Sequence, residues 1–279
     1  MTFATPDTAR IEWVRRPDKP RPIRLVVFDF DGTLSWLRHG WPAMMRDVFR
    51  EHLPAADGES SEALDALLER EILSLNGKPT IFQTRRFVEM AAARDLSTPD
   101  PEPLRAEFQR RLDEAIARRC GRVRSGQAVA DDYVVHAARP LVEHLIRRGL
   151  TPVILSSTVI ERVREEAALL GLAPLFGRHI YGGVGDPLAF SKRAVFERLL
   201  AEEGIDGGGL LSFGDGPVEI ADTRHVGGLA VGVCSDEHLN GSGVCHPQKR
   251  RQLIEAGADC VVPDFRDAMA LVDELLAVG

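Results

Sequence analysis

The sequence predicts an α/β fold: a Rossmann-like parallel sheet core with helices on both faces, plus an inserted four-helix cap domain. Two observations indicate this. Short, almost wholly apolar runs bounded by turn residues alternate with helical patterns, which is typical of parallel strands buried on both faces. Between about residues 41 and 119, four amphipathic patterns instead follow one another with no strand candidate between them. A chain of 279 residues is long enough for such a core with a smaller second unit.

The predicted strands are short apolar runs followed by turn residues, at 25–30, 152–155, 210–213, 229–233 and 260–262, with a weaker one near 179–181. Helical patterns lie between them at 140–148, 160–170, 193–202 and 265–276. The amphipathic patterns of the cap lie at 41–53, 62–75, 81–93 and 104–117. We therefore expect three parts. The first is an irregular lead-in over 1–23, packed down by Ile11, Trp13 and Val14. The second is the core over 24–37 and 122–279, and the third is the cap over 38–121.

Composition and charge narrow the classes of function. The formal net charge is -7 with no long basic run, so we expect no nucleic-acid partner. No run approaches the roughly 18 apolar residues that cross a bilayer. The polar, proline-rich N-terminus does not resemble a secretory signal, so no membrane partner is expected either. The sequence leaves the oligomeric state open.

The four cysteines are scattered without a Cys-x-x-Cys pair, which predicts reduced thiols in a cytoplasmic protein. One group offers an alternative, since Cys234, His238, Cys245 and His246 could bind zinc. Their spacing matches no tight-turn pair of zinc ligands, and Cys234 ends an apolar run, which favours a buried thiol. The sequence assigns no role to the surrounding stretch, 235–251, which is longer than a simple link between a strand and a helix.

The first chemical motif follows the first predicted strand of the core. The run 25–28 leads into Asp29 and Asp31, and then into Gly32 and Thr33. Carboxylates at the C-terminal end of a parallel strand lie where open α/β sheets bind their ligands. Such a pair suits Mg²⁺, and one of its members can attack a phosphoryl group. Taken alone, the motif could also be an ordinary Asp-Gly turn.

Three further motifs follow in order, and each has an ordinary structural explanation of its own. Ser156 and Ser157 follow the second core strand, where hydroxyl and N–H groups bind phosphate or simply cap a helix. Lys192 opens a helix, where it can neutralise a carboxylate–phosphate cluster or face solvent. Asp215 and Glu219 follow the third core strand, among glycines, and can ligate the same metal ion as the first pair. The order of the four motifs favours a catalytic site.

With these motifs in this order, the sequence resembles the haloacid dehalogenase superfamily of phosphotransferases over roughly 24–34 and 134–276. The resemblance implies a phosphatase in which Asp29 becomes an aspartyl-phosphate and Asp31 acts as general acid and then general base. It implies Mg²⁺ as the cofactor, bound by Asp29, the Asp31 carbonyl and Asp215, with Glu219 close by or acting through water. It also implies that Ser156, Lys192 and the Ser157 N–H bind phosphoryl oxygens. Family members often have Asp in place of Glu219, but the longer carboxylate can still reach the metal.

The predicted insertion resembles the helical cap of that superfamily, which closes over the acids and excludes water. Candidate substrate-binding residues lie after the first motif and in the most polar loop of the cap: Thr33, Arg38, His39, Lys78, Thr80 and Gln83. The alternatives are plain packing of the hinge at 35–41 and an ordinary inter-helix turn with Pro79 at the first helical position. Polar groups at this seam suggest a small phosphate ester as substrate, with a sugar or cyclitol phosphate favoured.

The same residues also bear on other activities. Asp31 argues against a dehalogenase, because the departure of a halide needs no proton. A phosphonate hydrolase needs a Schiff-base lysine from the cap, where Lys78 is the single candidate. A phosphomutase uses the same pair of acids and is the alternative within this superfamily. A binding module without catalysis is the remote alternative, since every motif position carries a competent residue.

Overall fold

The computed structural model describes residues 11–97, 99–184 and 191–276. Its core is a seven-stranded sheet in the order β1-β7-β6-β5-β2-β3-β4. The strands are β1 (Glu12–Trp13), β2 (Leu25–Phe28), β3 (Thr151–Val159), β4 (Ile180–Gly183), β5 (Leu210–Gly214), β6 (Leu229–Val233) and β7 (Cys260–Val262). All neighbouring pairs are parallel except β1, which runs antiparallel to β7. The predicted α/β core is confirmed, and the lead-in adds one antiparallel edge strand.

Successive side chains of the central strands point to opposite faces of the sheet, and both faces are buried. Phe28 packs on one face, stacked on Phe213 at 5.1 Å between ring centroids and edge-on to Phe265. Four helices cover this face: α5 (Ala138–Arg147), α6 (Ile160–Leu169), α7 (Ala173–Phe176) and α11 (Ala268–Leu276). Three helices cover the other face: α8 (Lys192–Glu203), α9 (Pro217–His225) and α10 (Pro247–Glu255). Burial on both faces explains why the strands read as continuous apolar runs.

Four helices form the segment between β2 and β3: α1 (Trp41–Arg50), α2 (Ser61–Ser74), α3 (Thr80–Ala92) and α4 (Pro101–Arg124). We call this group the helical module. Phe49 of α1 stacks on Phe87 of α3 at 4.3 Å between ring centroids. The side chains of Ser60 and Asp100 cap α2 and α4 by accepting backbone N–H groups. Helix α4 ends at Arg124 rather than at residue 117, so it runs past the boundary expected at 121.

The lead-in and the cysteines depart from the sequence-based expectation. Residues 12–13 form β1, where Trp13 pairs with Cys260, while Val14 is exposed rather than packed. Cys234 and Cys245 form a disulfide with Cα atoms 4.9 Å apart. The prediction of reduced thiols is therefore wrong for this pair and holds for Cys120 and Cys260, which are free and buried. Because the disulfide uses both sulfur atoms, it also removes the zinc alternative. Among the described helices, none is both long and apolar enough to cross a bilayer.

Candidate active site

Three of the four sequence motifs meet at one edge of the sheet because β2 lies between β3 and β5, parallel to both. Phe28 is in register with Ile154 and Phe213, so the residues that follow these three positions lie side by side. Asp29 continues the ladder, with its N–H donating to the Phe213 carbonyl at 2.9 Å. Carboxyl ends of neighbouring parallel strands are where open α/β sheets bind ligands.

Asp29 and Lys192 form the innermost ion pair of this edge. The Lys192 ammonium lies 2.6 Å from one Asp29 oxygen and 3.4 Å from Glu219, and the lysine is 5 % exposed. Burial raises the pKa of Asp29 well above its ordinary value, against the opposing charge of Lys192. Burial acts to lower the pKa of Lys192, but the carboxylates of Asp29 and Glu219 outweigh it and raise that pKa. Lys192 is therefore a fixed cation beside Asp29.

Asp29, Asp215 and Glu219 form a carboxylate cluster in which one oxygen of each lies within 4.8 Å of the others. Glu219, in the first turn of α9, accepts the Gly216 N–H at 2.7 Å. Burial raises the pKa of Asp215 to about 6, against the opposing charge of Lys249. Three carboxylates and the Lys192 ammonium leave a charge of -2 on this cluster when all are ionised. A buried charge needs a partner, and Mg²⁺ prefers carboxylate oxygens, so the donor set fits one divalent cation.

Asp31 lies outside that cluster and is held by two other side chains. The Thr158 hydroxyl donates to one of its oxygens at 2.8 Å, and Arg38 donates to the other at 2.5 Å. Arg38 also binds Glu166 through both of its terminal nitrogens. The guanidinium thus bridges two carboxylates and is 8 % exposed. This arrangement suits Arg38 to orient Asp31, and its predicted contact with substrate stays a prediction.

The serine motif differs from its predicted setting. Strand β3 does not end at residue 155 but continues to Val159 with an irregularity in its pairing to β4, so Ser156 and Ser157 lie on the strand rather than at a helix start. Ser156 is buried, and its hydroxyl oxygen accepts the Thr158 N–H at 3.0 Å. Ser157 donates to the Gly77 carbonyl of the helical module at 3.1 Å. The simpler explanation, a helix cap, is excluded because α6 has no side-chain cap.

The loop between α2 and α3 brings the helical module onto the acids. Asn76 donates to the Asp215 carbonyl at 3.1 Å and stands 3.4 Å from its carboxylate. Lys78 is exposed, with its ammonium 6.0 Å from the Phe82 ring centroid, and Thr80 is half-buried at the start of α3. Gln83 is buried inside the module, where its amide donates to the Ile72 carbonyl at 3.2 Å. The structure therefore does not bring Gln83 to the acids.

The two remaining candidates near the first motif, His39 and Thr33, are also packed among neighbouring residues. His39 stacks on Trp36 at 3.8 Å between ring centroids, and its Nδ1 lies 2.7 Å from the Trp36 carbonyl oxygen. With Arg119 and Tyr133, these two rings line a cleft beside the hinge. Thr33 is fully buried, and its hydroxyl has no hydrogen-bond partner within the described part of the chain. His39 therefore packs on the hinge beside that cleft, and its predicted contact with substrate stays a prediction.

Several residues of this site escape sequence reasoning. They are Asn76, Thr158, Glu166, Glu237 and Lys249, each bonded to an acid or to a partner of one. Thr158 had a weak signal, as the third hydroxyl in a row after a strand. Asn76 lies in the polar loop of the predicted cap but was not itself a candidate. The other three carry no signal, because each contacts a residue far away in the chain.

Gly32 offers a test of how tightly this edge is packed. Its φ is +77°, and a Cβ atom there would lie 2.2 Å from the Asp215 Oδ2 atom. For Gly32→Ala we expect a loss of about 1–2 kcal/mol in the free energy of unfolding from the left-handed backbone. We also expect at least a tenfold loss of activity, roughly, because Asp215 must move.

Gly58→Ala is the matched control for that variant. Gly58 has φ +80°, and a Cβ atom there would meet nothing within 4 Å. It should lose a similar unfolding free energy, measured by urea denaturation, and keep its activity. Equal activities of Gly32→Ala and Gly58→Ala would show that the close approach of Gly32 to Asp215 is not needed for catalysis.

The fold and the site define an α/β enzyme with its carboxylates gathered at the C-terminal edge of a parallel sheet. The chain belongs to the haloacid dehalogenase-like hydrolases, whose family model matches residues 23–222. The comparison with curated proteins finds no match.

Solved structures similar to this chain share its fold at low sequence identity. A conserved haloacid dehalogenase-like protein of unknown function from Agrobacterium tumefaciens is 17% identical, with a TM-score of 0.63 over 91% of this chain and 100% of its own. A predicted phosphoglycolate phosphatase from Haemophilus somnus is 17% identical, with a TM-score of 0.58 over 90% and 98%. A HAD family hydrolase from Deinococcus radiodurans, with bound phosphate and sodium, is 18% identical, with a TM-score of 0.58 over 91% and 97%.

Proposed function

We propose that this hydrolase is a Mg²⁺-dependent phosphatase that cleaves a small phosphate monoester through an aspartyl-phosphate on Asp29. One observation carries the proposal. Asp29, paired with a buried lysine, lies in a carboxylate cluster, while the second acid of its motif is held separately by Thr158 and Arg38. The two acids therefore have different surroundings, which suits one of them to attack phosphorus and the other to move protons.

In the first half-reaction an Asp29 oxygen bonds to phosphorus while the ester bond to the leaving oxygen breaks. Asp31 gives its proton to that oxygen, which leaves as an alcohol. In the second half-reaction a water molecule gives a proton to Asp31 and bonds to phosphorus, and the bond to Asp29 breaks. Inorganic phosphate is released and both acids return to their starting states. Arg38 and Thr158 hold Asp31 through different oxygens, which fixes its position for both transfers.

Two groups of this chain suit the phosphoryl oxygens. Lys192 places a buried positive charge beside Asp29. Ser156 accepts the Thr158 N–H with its hydroxyl oxygen, so its own proton is available to donate. Mg²⁺ held by Asp29, Asp215 and Glu219, with the Asp31 carbonyl, would add a divalent charge against the phosphoryl group. Together, Lys192, the Ser156 hydroxyl and the metal ion would stabilise the transition state more than the ground state.

The seam between core and helical module supports a small substrate. The module contacts the core beside the acids through Asn76–Asp215 and Gly77–Ser157, at 3.1 Å each. A substrate must fit beneath that loop, which carries Lys78 and leads into Thr80, two of the predicted contacts. We favour a sugar or cyclitol phosphate, whose hydroxyl groups suit such polar neighbours.

Removal of the metal tests the proposal directly. We expect a chelator to lower phosphate release from a panel of sugar, cyclitol, nucleotide and glycolate phosphates by at least about 10³-fold. Added Mg²⁺ should restore the rate. Turnover that is unchanged by chelator would overturn the metal assignment. Transfer of the phosphoryl group within a sugar phosphate, dependent on a bisphosphate primer and without phosphate release, would instead support a mutase.

A further inference from the structure

The stretch 235–251, which the sequence left unassigned, lies against the first motif and the hinge. Ser235 donates to the Gly32 carbonyl at 3.1 Å, and the Asp236 carbonyl accepts the Trp36 indole N–H at 3.2 Å. Glu237 accepts the Gly40 N–H, just before α1, at 2.8 Å. Three successive residues thus bind the segment that joins the acids to the helical module. The disulfide between Cys234 and Cys245 closes the base of this loop.

Lys249, in the first turn of α10, connects the same stretch to the carboxylate cluster. It is 1 % exposed, its ammonium lies 3.1 Å from the Asp215 Oδ2 atom, and it also pairs with Glu237. Burial acts to lower the pKa of Lys249, but Glu237 and Asp215 outweigh it and raise that pKa. The side chain is therefore a buried ammonium between two buried carboxylates.

We infer that Lys249 is a positioning residue for the metal ligand Asp215, and that Glu237 fixes Lys249 to the hinge at Gly40. The inference rests on the proposed function, because it assumes that Asp215 binds Mg²⁺. A carboxylate turns about its side-chain bonds unless its oxygens are held. Asp215 has Lys249 within hydrogen-bond distance of Oδ2, with Asn76 at 3.4 Å from the same oxygen. Groups that orient a metal ligand in this way commonly contribute tenfold to a hundredfold to metal affinity, roughly.

A role in charge balance alone makes the opposite prediction. Lys249 and Glu237 together are neutral, so they leave the charge of -2 on the cluster of Asp29, Asp215, Glu219 and Lys192 unchanged. Loss of Lys249 alone would make the site more negative and tighten Mg²⁺ binding by Coulomb attraction. Loss of Lys249 and Glu237 together would leave the net charge of the site unchanged. If charge balance were the whole role, the Mg²⁺ affinity would then be unchanged too. A positioning role predicts weaker binding in both cases.

The experiment measures Mg²⁺ binding by isothermal titration calorimetry in the absence of substrate, for wild type, Lys249→Met and Lys249→Met/Glu237→Gln. We expect the Mg²⁺ Kd to rise by roughly 10–100-fold in both variants. We also expect kcat at saturating Mg²⁺ to fall with little change in KM, because Asp215 serves the transition state more than the substrate. The double variant leaves no unpaired carboxylate at position 237, which makes it less disruptive than the single variant and keeps the test measurable if the single variant does not fold.

Arg251→Met is the matched control, since it removes an exposed cation from the same helix and should leave the Mg²⁺ Kd unchanged. Wild-type or tighter Mg²⁺ affinity in Lys249→Met, or unchanged affinity in the folded double variant, would overturn the inference. A wild-type protein that binds no Mg²⁺, or an Asp215→Asn variant that binds it as well as wild type, would instead overturn the proposed metal site. The two failures are thus distinguishable.

Discussion

Replacement of Asp29 by Asn is expected to abolish phosphate release, with kcat lowered by at least about 10⁴-fold. The amide cannot take the place of a carboxylate as nucleophile. The fold should survive, because the neutral amide would lower the charge of the cluster from -2 to -1 and Lys192 would keep Glu219 at 3.4 Å. Phosphate release under saturating substrate and Mg²⁺ measures the first effect, and thermal unfolding followed by circular dichroism measures the second.

Asp47→Asn is the control for that variant, since the Asp47 side chain is 60% exposed on α1. It should keep full activity and stability. If the folded Asp29→Asn variant retained more than about one per cent of wild-type turnover, a loss too small for a missing nucleophile, the aspartyl-phosphate mechanism would be wrong.

Asp31→Asn should have the second largest effect, and its size should depend on the leaving group. For an alkyl phosphate we expect kcat to fall by about 10²–10⁴-fold, because the departing alkoxide then lacks its proton donor. For p-nitrophenyl phosphate the leaving group departs without a proton, so the first half-reaction persists while the second lacks its base. We expect one equivalent of p-nitrophenolate per active site in a burst, and then slow turnover.

The phosphoenzyme that accumulates in Asp31→Asn should be visible by mass spectrometry after an acid quench, as one phosphoryl group on the peptide that contains Asp29. The double variant Asp29→Asn/Asp31→Asn should show neither burst nor modified peptide. Arg38 keeps Glu166 as a partner when the side chain at position 31 is neutral, so the local structure should hold. Alkyl phosphatase activity equal to wild type in Asp31→Asn would contradict the assignment of acid and base.

These two variants probe acids that the sequence placed correctly at one edge of the sheet. The reason is local. An apolar run of β2 or β5 is buried on both faces, so its place in the chain can be read directly, with its end correct to within two residues. Since neighbouring parallel strands end at the same edge, Asp29 and Asp215 had to leave the sheet together once both strands were recognised. The helices of the module followed similarly from their periodicity and from caps such as Ser60.

Local sequence patterns gave incomplete predictions where a side chain binds a residue outside its own helix or strand. Gln83 looked like a candidate for substrate contact, yet it binds the Ile72 carbonyl inside the module. No local pattern indicated that Arg38 bridges Asp31 and Glu166. Ser156 looked like a helix cap or a phosphate ligand, and the continuation of β3 excluded the cap. Cys234 and Cys245 looked like free thiols, or else zinc ligands, because their spacing in the chain does not indicate a disulfide.

The sequence by itself determined the α/β core, the inserted helices and the edge at which the acids meet. Only the tertiary structure decided how those acids are held: Asp29 by Lys192, Asp31 by Arg38 and Thr158, and Asp215 by Lys249. The physical reason is that a strand is specified by its own residues, whereas a buried charge is specified by its partner. In the sequence Lys249 is an ordinary helix lysine, and its role depends on its contact with Asp215, 34 positions away.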